Sequence, residues 1–212
     1  MFFSFDGIDG AGKSTQIERF CAWLTAEGHD VFACRDPGST PAGEQIRHLL
    51  LDHQQWPIGR RCEMLLYMAA RAQLVEEQIV PALDAGRVVV CDRFLLANVV
   101  YQGYGGGLDV ESLWQIGHYA TAGVSPDLTF LLDLDPQVAA GRIARTLDRM
   151  EQQGDDFRTR IREGFLREAR RRPEAIVVID AARPADTVQA EIRAVAAPLL
   201  PARGAGKSAE SR

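Results

Sequence analysis

A phosphate-binding loop motif near the N-terminus constrains the fold of this chain more than any other feature. Residues 7–14 read GIDGAGKS and match G-x-x-x-x-G-K-[ST] in full. An apolar run at residues 2–5 precedes the motif, and a helical pattern at residues 15–27 follows it. In this strand–loop–helix order, backbone N–H groups and the positive end of the helix can surround a phosphate. The N-terminal segment therefore predicts a nucleotide site at the edge of an α/β sheet.

The pentapeptide GAGKS occurs a second time, at residues 204–208. There the motif would need glycine at position 201, which is Pro201, and neither a strand nor a helix pattern flanks it. We therefore interpret residues 201–212 as a disordered tail that follows a single domain over residues 1–200.

Five short apolar runs predict strands that are buried on both faces of a parallel sheet. They lie at residues 2–5, 31–34, 88–91, 128–132 and 176–179. Helical patterns separate them at residues 15–27, 41–51, 61–85, 108–122, 136–145 and 156–172. This alternation predicts a three-layer α/β fold with a five-stranded parallel sheet. Ligands of such sheets lie beyond the carboxyl ends of the strands, where Asp6, Asp92, Asp133 and Asp180 follow four of the runs.

Composition excludes several classes of function. The net charge of −5 argues against a general nucleic-acid or anionic-membrane surface, because such surfaces need clustered Lys and Arg. Neither an apolar run near 18 residues nor a signal-peptide pattern is present, so we expect a cytoplasmic protein without a membrane span. The cysteines Cys21, Cys34, Cys62 and Cys91 have no metal-binding spacing and are expected to be buried free thiols.

The loop motif indicates a nucleotide but not a reaction. Lys13 would lie near the β- and γ-phosphates, and the Ser14 hydroxyl could bind Mg²⁺. Asp92, at the end of the third apolar run, could help to hold Mg²⁺ or its water. A GTP-driven switch would need an N-K-x-D motif, and the single asparagine, Asn98, is not in one. An ATP-dependent regulatory or assembly protein and a small kinase both stay open at this point.

A kinase needs a second pocket for its acceptor, and two stretches suggest one. Tyr67 and Arg71 are four residues apart on a helical pattern and could sandwich and contact a base; Asn98, Tyr101 and Gln102 repeat this spacing. Arg93, with its planar guanidinium, could pair an acceptor phosphate. The alternatives are a core Tyr67, a solvated Arg71 and a purely structural Asp92–Arg93 pair.

Three arginines could form a lid over the phosphates. Arg142, Arg145 and Arg149 share one helix face if that helix continues, and like charges repel unless they meet anions. We expect a mobile lid at about residues 142–156, the alternative being a solvated basic face.

Taken together, these stretches resemble the thymidylate kinase family over residues 2–198. The matching stretches are GIDGAGKSTQ, RDPGSTPAGEQIR, EMLLYMAARAQLVEEQIVPAL, VVVCDRF, VVYQGYGGG, PDLTFLLDLDPQVA and DRMEQ. The resemblance implies the P-loop nucleoside monophosphate kinase fold, transfer of phosphate from ATP to dTMP with Mg²⁺, and a homodimer. The open alternatives are a kinase of another monophosphate, such as dUMP or dGMP, and an ATP-dependent regulatory protein.

The resemblance also implies residue roles. The residues implied in ATP binding are Gly7, Ile8, Asp9, Gly10, Ala11, Gly12, Lys13, Ser14, Thr15 and Arg142, the last against adenine. The residues implied in dTMP binding are Asp9, Arg47, Tyr67, Arg71, Arg93, Asn98, Tyr101 and Gln102. Within that set, Arg47 and Arg93 hold the phosphate, Tyr67 stacks on thymine and Arg71 reaches its O4. The implied catalytic residues are Lys13, Arg93 and Arg149, and the implied Mg²⁺ ligands are Ser14 and Asp92.

This chain departs from the family pattern at four positions. Several members carry an arginine where Gly10 stands, so this chain resembles the subtype in which the lid supplies the arginine. The usual DRY or DRH is DRF, Ala97 replaces a small hydroxyl residue, and Asp36 replaces a longer acid. The last three changes bear on base selectivity rather than on the class of reaction.

Overall fold

A computed structural model of the chain describes residues 1–52, 56–142 and 154–200. All five predicted strands are present. They span Phe2–Asp6 (β1), Val31–Arg35 (β2), Val88–Asp92 (β3), Leu128–Asp133 (β4) and Ile176–Asp180 (β5). Each strand is one residue longer at its carboxyl end than predicted, so four strands terminate in an aspartate and β2 terminates in Arg35. These side chains consequently meet at one edge of the sheet.

The strands form one sheet in the order β2-β3-β1-β4-β5, and every neighbouring pair is parallel. Alternate residues of β1 face opposite sides: Phe3 and Phe5 join one buried cluster, and Phe2 joins the other. Because both faces of the sheet are covered, the predicted three-layer α/β fold with a five-stranded parallel sheet is confirmed.

The helices largely follow the predicted pattern. They span Lys13–Ala26 (α1), Pro41–Leu51 (α2), Arg60–Leu74 (α3), Val80–Asp84 (α4), Leu95–Asn98 (α5), Val110–Ala120 (α6), Pro136–Arg142 (α7), Asp155–Arg171 (α8) and Ala185–Ala196 (α9). A π-helical segment, Val75–Ile79, joins α3 to α4, so the single helix predicted for residues 61–85 is continuous but changes its hydrogen-bond spacing. A second π-helical segment, Val99–Gly105, follows α5 directly.

Two helical regions were not predicted from the sequence. Helix α9 carries a clear signal, because Val188, Ile192 and Ala196 recur every four residues and are all buried. The region from α5 through the second π-helical segment carries a weaker signal. It is interrupted by glycines and is buried on nearly all sides at its start.

The expectation of four buried thiols is wrong in part. All four cysteines are free, as expected, but Cys62 is exposed on α3 and Cys21 is half-buried. Cys34 and Cys91 are buried and lie opposite each other on β2 and β3. Within the ranges described, no helix combines the length and apolarity needed to cross a bilayer.

Part of the predicted lid and all of the predicted tail lie outside the described residues. This applies to Arg145 and Arg149, and to residues 201–212 with the second GAGKS.

Candidate active site

The carboxyl ends of the strands open into a cavity of about 1140 Å³. Most of the predicted site residues within the described ranges line it. They are Asp9, Gly10, Ala11, Gly12, Lys13, Ser14, Thr15, Arg47, Tyr67, Arg71, Asp92, Arg93, Asn98, Tyr101, Gln102 and Arg142. Gly7 and Ile8 are not lining residues; their carbonyl oxygens instead accept hydrogen bonds from Lys13 Nζ, at 3.1 and 3.0 Å.

The phosphate loop connects β1 to α1, and its glycines permit its curvature. Gly10 and Gly12 have φ of 83° and 92°, a region that glycine enters without the steric cost of a Cβ. Helix α1 begins at Lys13, so its free N–H groups face the loop. Burial, followed by the nearby charge of Arg93, lowers the pKa of Lys13. The loop thus combines backbone donors, a helix N-terminus and a buried ammonium group around one position, as a phosphate requires.

Arg93 links this loop to the end of β3. Its backbone N–H donates to Phe5 O at 2.9 Å and its φ is 68°, a left-handed conformation that non-glycine residues rarely adopt. Its Nη2 donates to Asp9 Oδ1 at 2.7 Å and to Tyr101 Oη at 3.3 Å. Its Nη1 is buried and has no hydrogen-bond partner within the described ranges. One end of the guanidinium is therefore anchored, while the other retains donors for an anion.

The Asp9–Arg93 pair stays charged. Burial by itself would raise the pKa of Asp9, but the charges of Arg93 and Lys13 outweigh it and hold that pKa below 3.8. Burial likewise opposes the charged form of Arg93, but Asp9 and its neighbours hold the pKa of Arg93 well above its usual value. Tyr101 Oη donates to Asp9 Oδ2 at 3.1 Å, and burial raises the pKa of this phenol.

Two carboxylates near the loop have unsatisfied oxygens. Both oxygens of Asp6, and Oδ1 of Asp92, are buried without a hydrogen-bond partner in the part of the chain that is described. Burial raises the pKa of Asp6 to about 7. Mg²⁺ prefers carboxylate and hydroxyl oxygens and keeps several waters and phosphates as ligands. Asp92 and the exposed Ser14, which both line the cavity, therefore fit a magnesium ion, and the buried Asp6 places a further carboxylate near Asp92. Sequence reasoning placed Asp6 in the row of strand-end acids but not in the site.

The base-side residues form a buried polar group. Arg71 is only 1% exposed, so the alternative of a solvated charge is wrong. Its Nε donates to Asp36 Oδ2 at 2.6 Å, and its Nη1 donates to Asn98 Oδ1 at 3.0 Å. Burial raises the pKa of Asp36, although the charge of Arg71 opposes this shift. Asp36, noted above only as a departure from the family pattern, is therefore the carboxylate that holds Arg71.

The second π-helical segment positions two of the predicted residues. It carries Tyr101 and Gln102, which both line the cavity. Segments with this spacing are frequent at functional sites, because the extra residue per turn re-aims side chains. Tyr67, half-buried on α3, lies on the same cavity.

Arg47 and Arg142, the remaining predicted arginines within the described ranges, also line the cavity. Arg47 on α2 donates from Nη1 to Pro37 O at 2.9 Å, and burial, then the charge of Arg35, lowers its pKa. Arg142 ends α7 and donates from Nη1 to Ala181 O at 3.2 Å. The segment after β5 lines the cavity beside Arg142 and was missed from the sequence, although ligands are expected beyond a strand's carboxyl end. Its lining residues are Ala181, Ala182, Arg183, Pro184, Ala185 and Val188.

A phosphate loop after β1, a five-stranded parallel sheet and a second polar pocket beside the loop together define the class of P-loop nucleoside monophosphate kinases. Comparison with known proteins narrows the class. The family model described as thymidylate kinase matches residues 5–192. The chain belongs to the thymidylate kinase family.

Individual relatives are similar over nearly their whole length. A thymidylate kinase of Geobacillus thermodenitrificans is 45% identical over 194 residues, 90% of this chain and 86% of that protein. One of Symbiobacterium thermophilum is 44% identical over 209 residues, 97% of this chain and 98% of that protein. The crystal structure of thymidylate kinase from Ehrlichia chaffeensis superposes with a TM-score of 0.75 at 31% identity, covering 92% of this chain and 97% of the other.

Proposed function

We propose that this chain transfers the terminal phosphate of ATP to dTMP, giving dTDP and ADP, in a reversible reaction with Mg²⁺. The observation that carries the proposal is the continuous cavity that joins the phosphate loop to the buried group of Arg71, Asn98 and Gln102. A donor and an acceptor nucleotide can lie end to end in it. Membership of the thymidylate kinase family supports dTMP as the acceptor.

The donor lies along residues 7–15, with its adenine between Arg142 and the segment after β5. The loop's backbone N–H groups and Lys13 bind its phosphates. On binding, Lys13 exchanges the carbonyl oxygens of Gly7 and Ile8 for phosphate oxygens, which are stronger partners for an ammonium group.

The acceptor lies on the other side of Arg93. The free Nη1 of Arg93 and the guanidinium of Arg47 bind its phosphate, while Tyr67 stacks on thymine. Arg71, Asn98 and Gln102 bind the base edge. Tyr101 and Asp9 contact the sugar, Tyr101 crowding the ribose 2′ position and Asp9 accepting from the 3′-hydroxyl.

Chemistry at this site requires positioning and charge neutralisation rather than a general base, because the attacking oxygen of a phosphate is already anionic. Arg93 and Arg47 hold that oxygen in line, and Lys13 offsets charge on the transferring group. Arg149 of the lid offsets it further, a contribution on the order of 10³–10⁵ in rate. Ser14 and Asp92 would hold Mg²⁺, directly or through water, and the bound ion would offset the negative charge of the phosphates.

We also propose that residues 1–200 form one kinase domain with a lid at about residues 142–156, and that the tail over residues 201–212 has no nucleotide site. The chain acts as a homodimer in the cytoplasm. The second GAGKS contributes nothing to catalysis.

A coupled ADP-release assay over dTMP, dUMP, dGMP and no acceptor tests this function. Rapid turnover with dTMP alone is the expected result. Preference for another monophosphate would contradict the choice of acceptor, and ADP release that is independent of any acceptor would favour an ATP-dependent regulatory protein.

A further inference from the structure

Glu168 on α8 is a buried carboxylate that the proposed reaction does not use. Its side chain is 0% exposed, and it is not among the residues that line the cavity. Its Oε1 accepts from Tyr104 Oη at 2.7 Å and from Arg171 Nη1 at 3.0 Å. Its Oε2 accepts from Trp114 Nε1 at 3.0 Å, and Arg172 Nε lies 3.5 Å away. Each oxygen therefore has one aromatic donor and one arginine, and these partners offset the cost of burying the carboxylate.

Tyr104 belongs to the second π-helical segment, in a stretch that consists otherwise of glycine. Residues 103–107 read GYGGG, so Tyr104 is the only one of them that carries a side chain. A glycine-rich stretch loses much backbone freedom on folding, so contacts from outside have to hold it in place. Arg60 Nη1 donates to Gly106 O at 2.5 Å, but from an exposed side chain. Tyr104 is therefore the one residue whose side-chain contacts can fix this stretch.

Helix α8 packs closely against this stretch. A Cβ at Gly164 would stand 2.7 Å from Tyr104 Cγ. A Cβ at Gly105 would stand 2.6 Å from Phe157 Cε2. Glycine at both positions permits the close approach of the helix and the segment. Glu168 lies one helical turn after Gly164, so α8 contacts the ring of Tyr104 at one turn and its hydroxyl at the next.

We propose that Glu168 is a positioning residue for the acceptor site. Through the Tyr104 hydroxyl it holds the second π-helical segment against α8, and the segment in turn sets the positions of Tyr101 and Gln102 in the cavity. Neither Glu168 nor Tyr104 is among the residues that line the cavity, so both act through the segment. This inference rests on the proposed function, which assigns Tyr101 and Gln102 to dTMP.

Tyr104→Phe tests the contact, because it removes the hydroxyl and keeps the ring against Gly164. Without the bond to Glu168, the segment occupies for part of the time arrangements that cannot bind dTMP. The apparent affinity for dTMP then falls in proportion to the fraction of molecules that stay competent. We expect the KM for dTMP to rise about fivefold or more, with kcat and the KM for ATP near the wild-type values.

The matched control is Trp114→Phe, which removes the aromatic donor from the other oxygen of the same carboxylate. Trp114 belongs to α6, and no residue of that helix is among those that line the cavity. This variant should lower the melting temperature and leave both KM values unchanged. If Glu168 served the stability of the fold alone, the two variants would behave alike.

Glu168→Gln weakens the same bond from its other end. An amide accepts at only one oxygen, so it cannot satisfy both pairs of donors, and a neutral acceptor bonds more weakly than a carboxylate. The KM for dTMP should rise in this variant too. In the Glu168→Gln background, removal of the Tyr104 hydroxyl should raise that KM by a smaller factor than in the wild type, because the two changes affect one bond.

The experiment measures kcat and both KM values of the wild type, the three single variants and the double variant, with folding checked by circular dichroism and thermal melting. A folded Tyr104→Phe enzyme with the wild-type KM for dTMP would overturn the inference. An equal rise in both KM values, or effects that multiply fully in the double variant, would overturn it as well. In each of these cases the wild type still phosphorylates dTMP and the proposed function stands. A wild type that does not phosphorylate dTMP would refute the proposed function, and this inference with it.

Discussion

Arg93 Nη2 lies 2.7 Å from Asp9 Oδ1, and this ion pair joins the phosphate loop to the carboxyl end of β3. Tyr101 hydrogen bonds to both partners and contacts the rings of Phe157 and Phe165 on α8 edge-on, with centroids 6.2 Å apart in each case. The phosphate loop, Arg93, Tyr101 and α8 are thus in one contact network. A substitution in any one of these parts should therefore alter the geometry of the others.

The charge of Asp9 predicts a loss of stability in acid. Its folded-state pKa lies below 3.8, so the folded state binds fewer protons than the unfolded state at low pH. The stabilisation is therefore complete at neutral pH and is lost as the pH falls below about 5, with a magnitude of about 1–2 kcal/mol for a partly exposed pair. Urea unfolding at pH 6 and at pH 3 measures this loss. Between these two pH values, the free energy of unfolding should fall by about 1–2 kcal/mol more in the wild type than in Asp9→Asn. An acid loss in Asp9→Asn equal to that of the wild type would refute the assignment.

Tyr67 should control the affinity for dTMP and not for ATP. Stacking of a base on an aromatic ring contributes about 1–3 kcal/mol, so Tyr67→Ala should raise the KM for dTMP by about tenfold or more. Tyr67→Phe keeps the ring, so it should raise the KM for dTMP less than Tyr67→Ala does. Steady-state kinetics with each substrate varied in turn would check this; a parallel rise in both KM values would show a general structural effect instead.

Arg149, which lies outside the described residues, should act in the transition state. Arg149→Ala should lower kcat by about 10³-fold while changing dTMP affinity little. Arg170→Ala, which removes an exposed arginine from α8, is the control for loss of surface charge. Weakened dTMP binding with an almost unchanged kcat would assign Arg149 to substrate binding.

Gly10 should be required because α7 lies directly against it. A Cβ at Gly10 would stand 2.3 Å from Ala139 O, far inside van der Waals contact, at a φ of 83°. Gly28 has a similar φ of 87°, but a Cβ there would meet nothing within 4 Å. Both alanine variants carry the backbone strain, of about 1 kcal/mol, and only Gly10→Ala displaces α7 with Arg142.

We therefore expect Gly10→Ala to raise the KM for ATP several-fold, and Gly28→Ala to affect stability alone. Equal kinetic effects of the two variants would contradict this account. The same close approach explains why this loop has no room for an arginine after Asp9.

The fold was largely predictable because its signals are local. Continuous apolar runs located every strand to within one residue, and the loop motif located the start of α1 to within two. The pairings within the site were not predictable, because they join distant parts of the chain. Asp9 and Arg93 are 84 residues apart, and Asp36 and Arg71 are 35 apart. Asp9 and Arg93 meet because β3 pairs with β1, and this strand order is not encoded in any single segment. Asp36 and Arg71 meet because α3 brings Arg71 to the end of β2.

The sequence also could not show which polar groups lack partners. Asp6 was one strand-end acid among four until its burial without a hydrogen bond set it apart. Glu63 was one charge on an amphipathic helix until Gln102 was found bonded to it.

The most direct test of the central claim is the fate of the terminal phosphate of labelled ATP in the presence of dTMP and Mg²⁺. The account predicts that the label appears in dTDP, in a yield equal to the ADP formed, and that it is lost when Arg93 is replaced by alanine. Release of the label as inorganic phosphate at a rate independent of dTMP would contradict it.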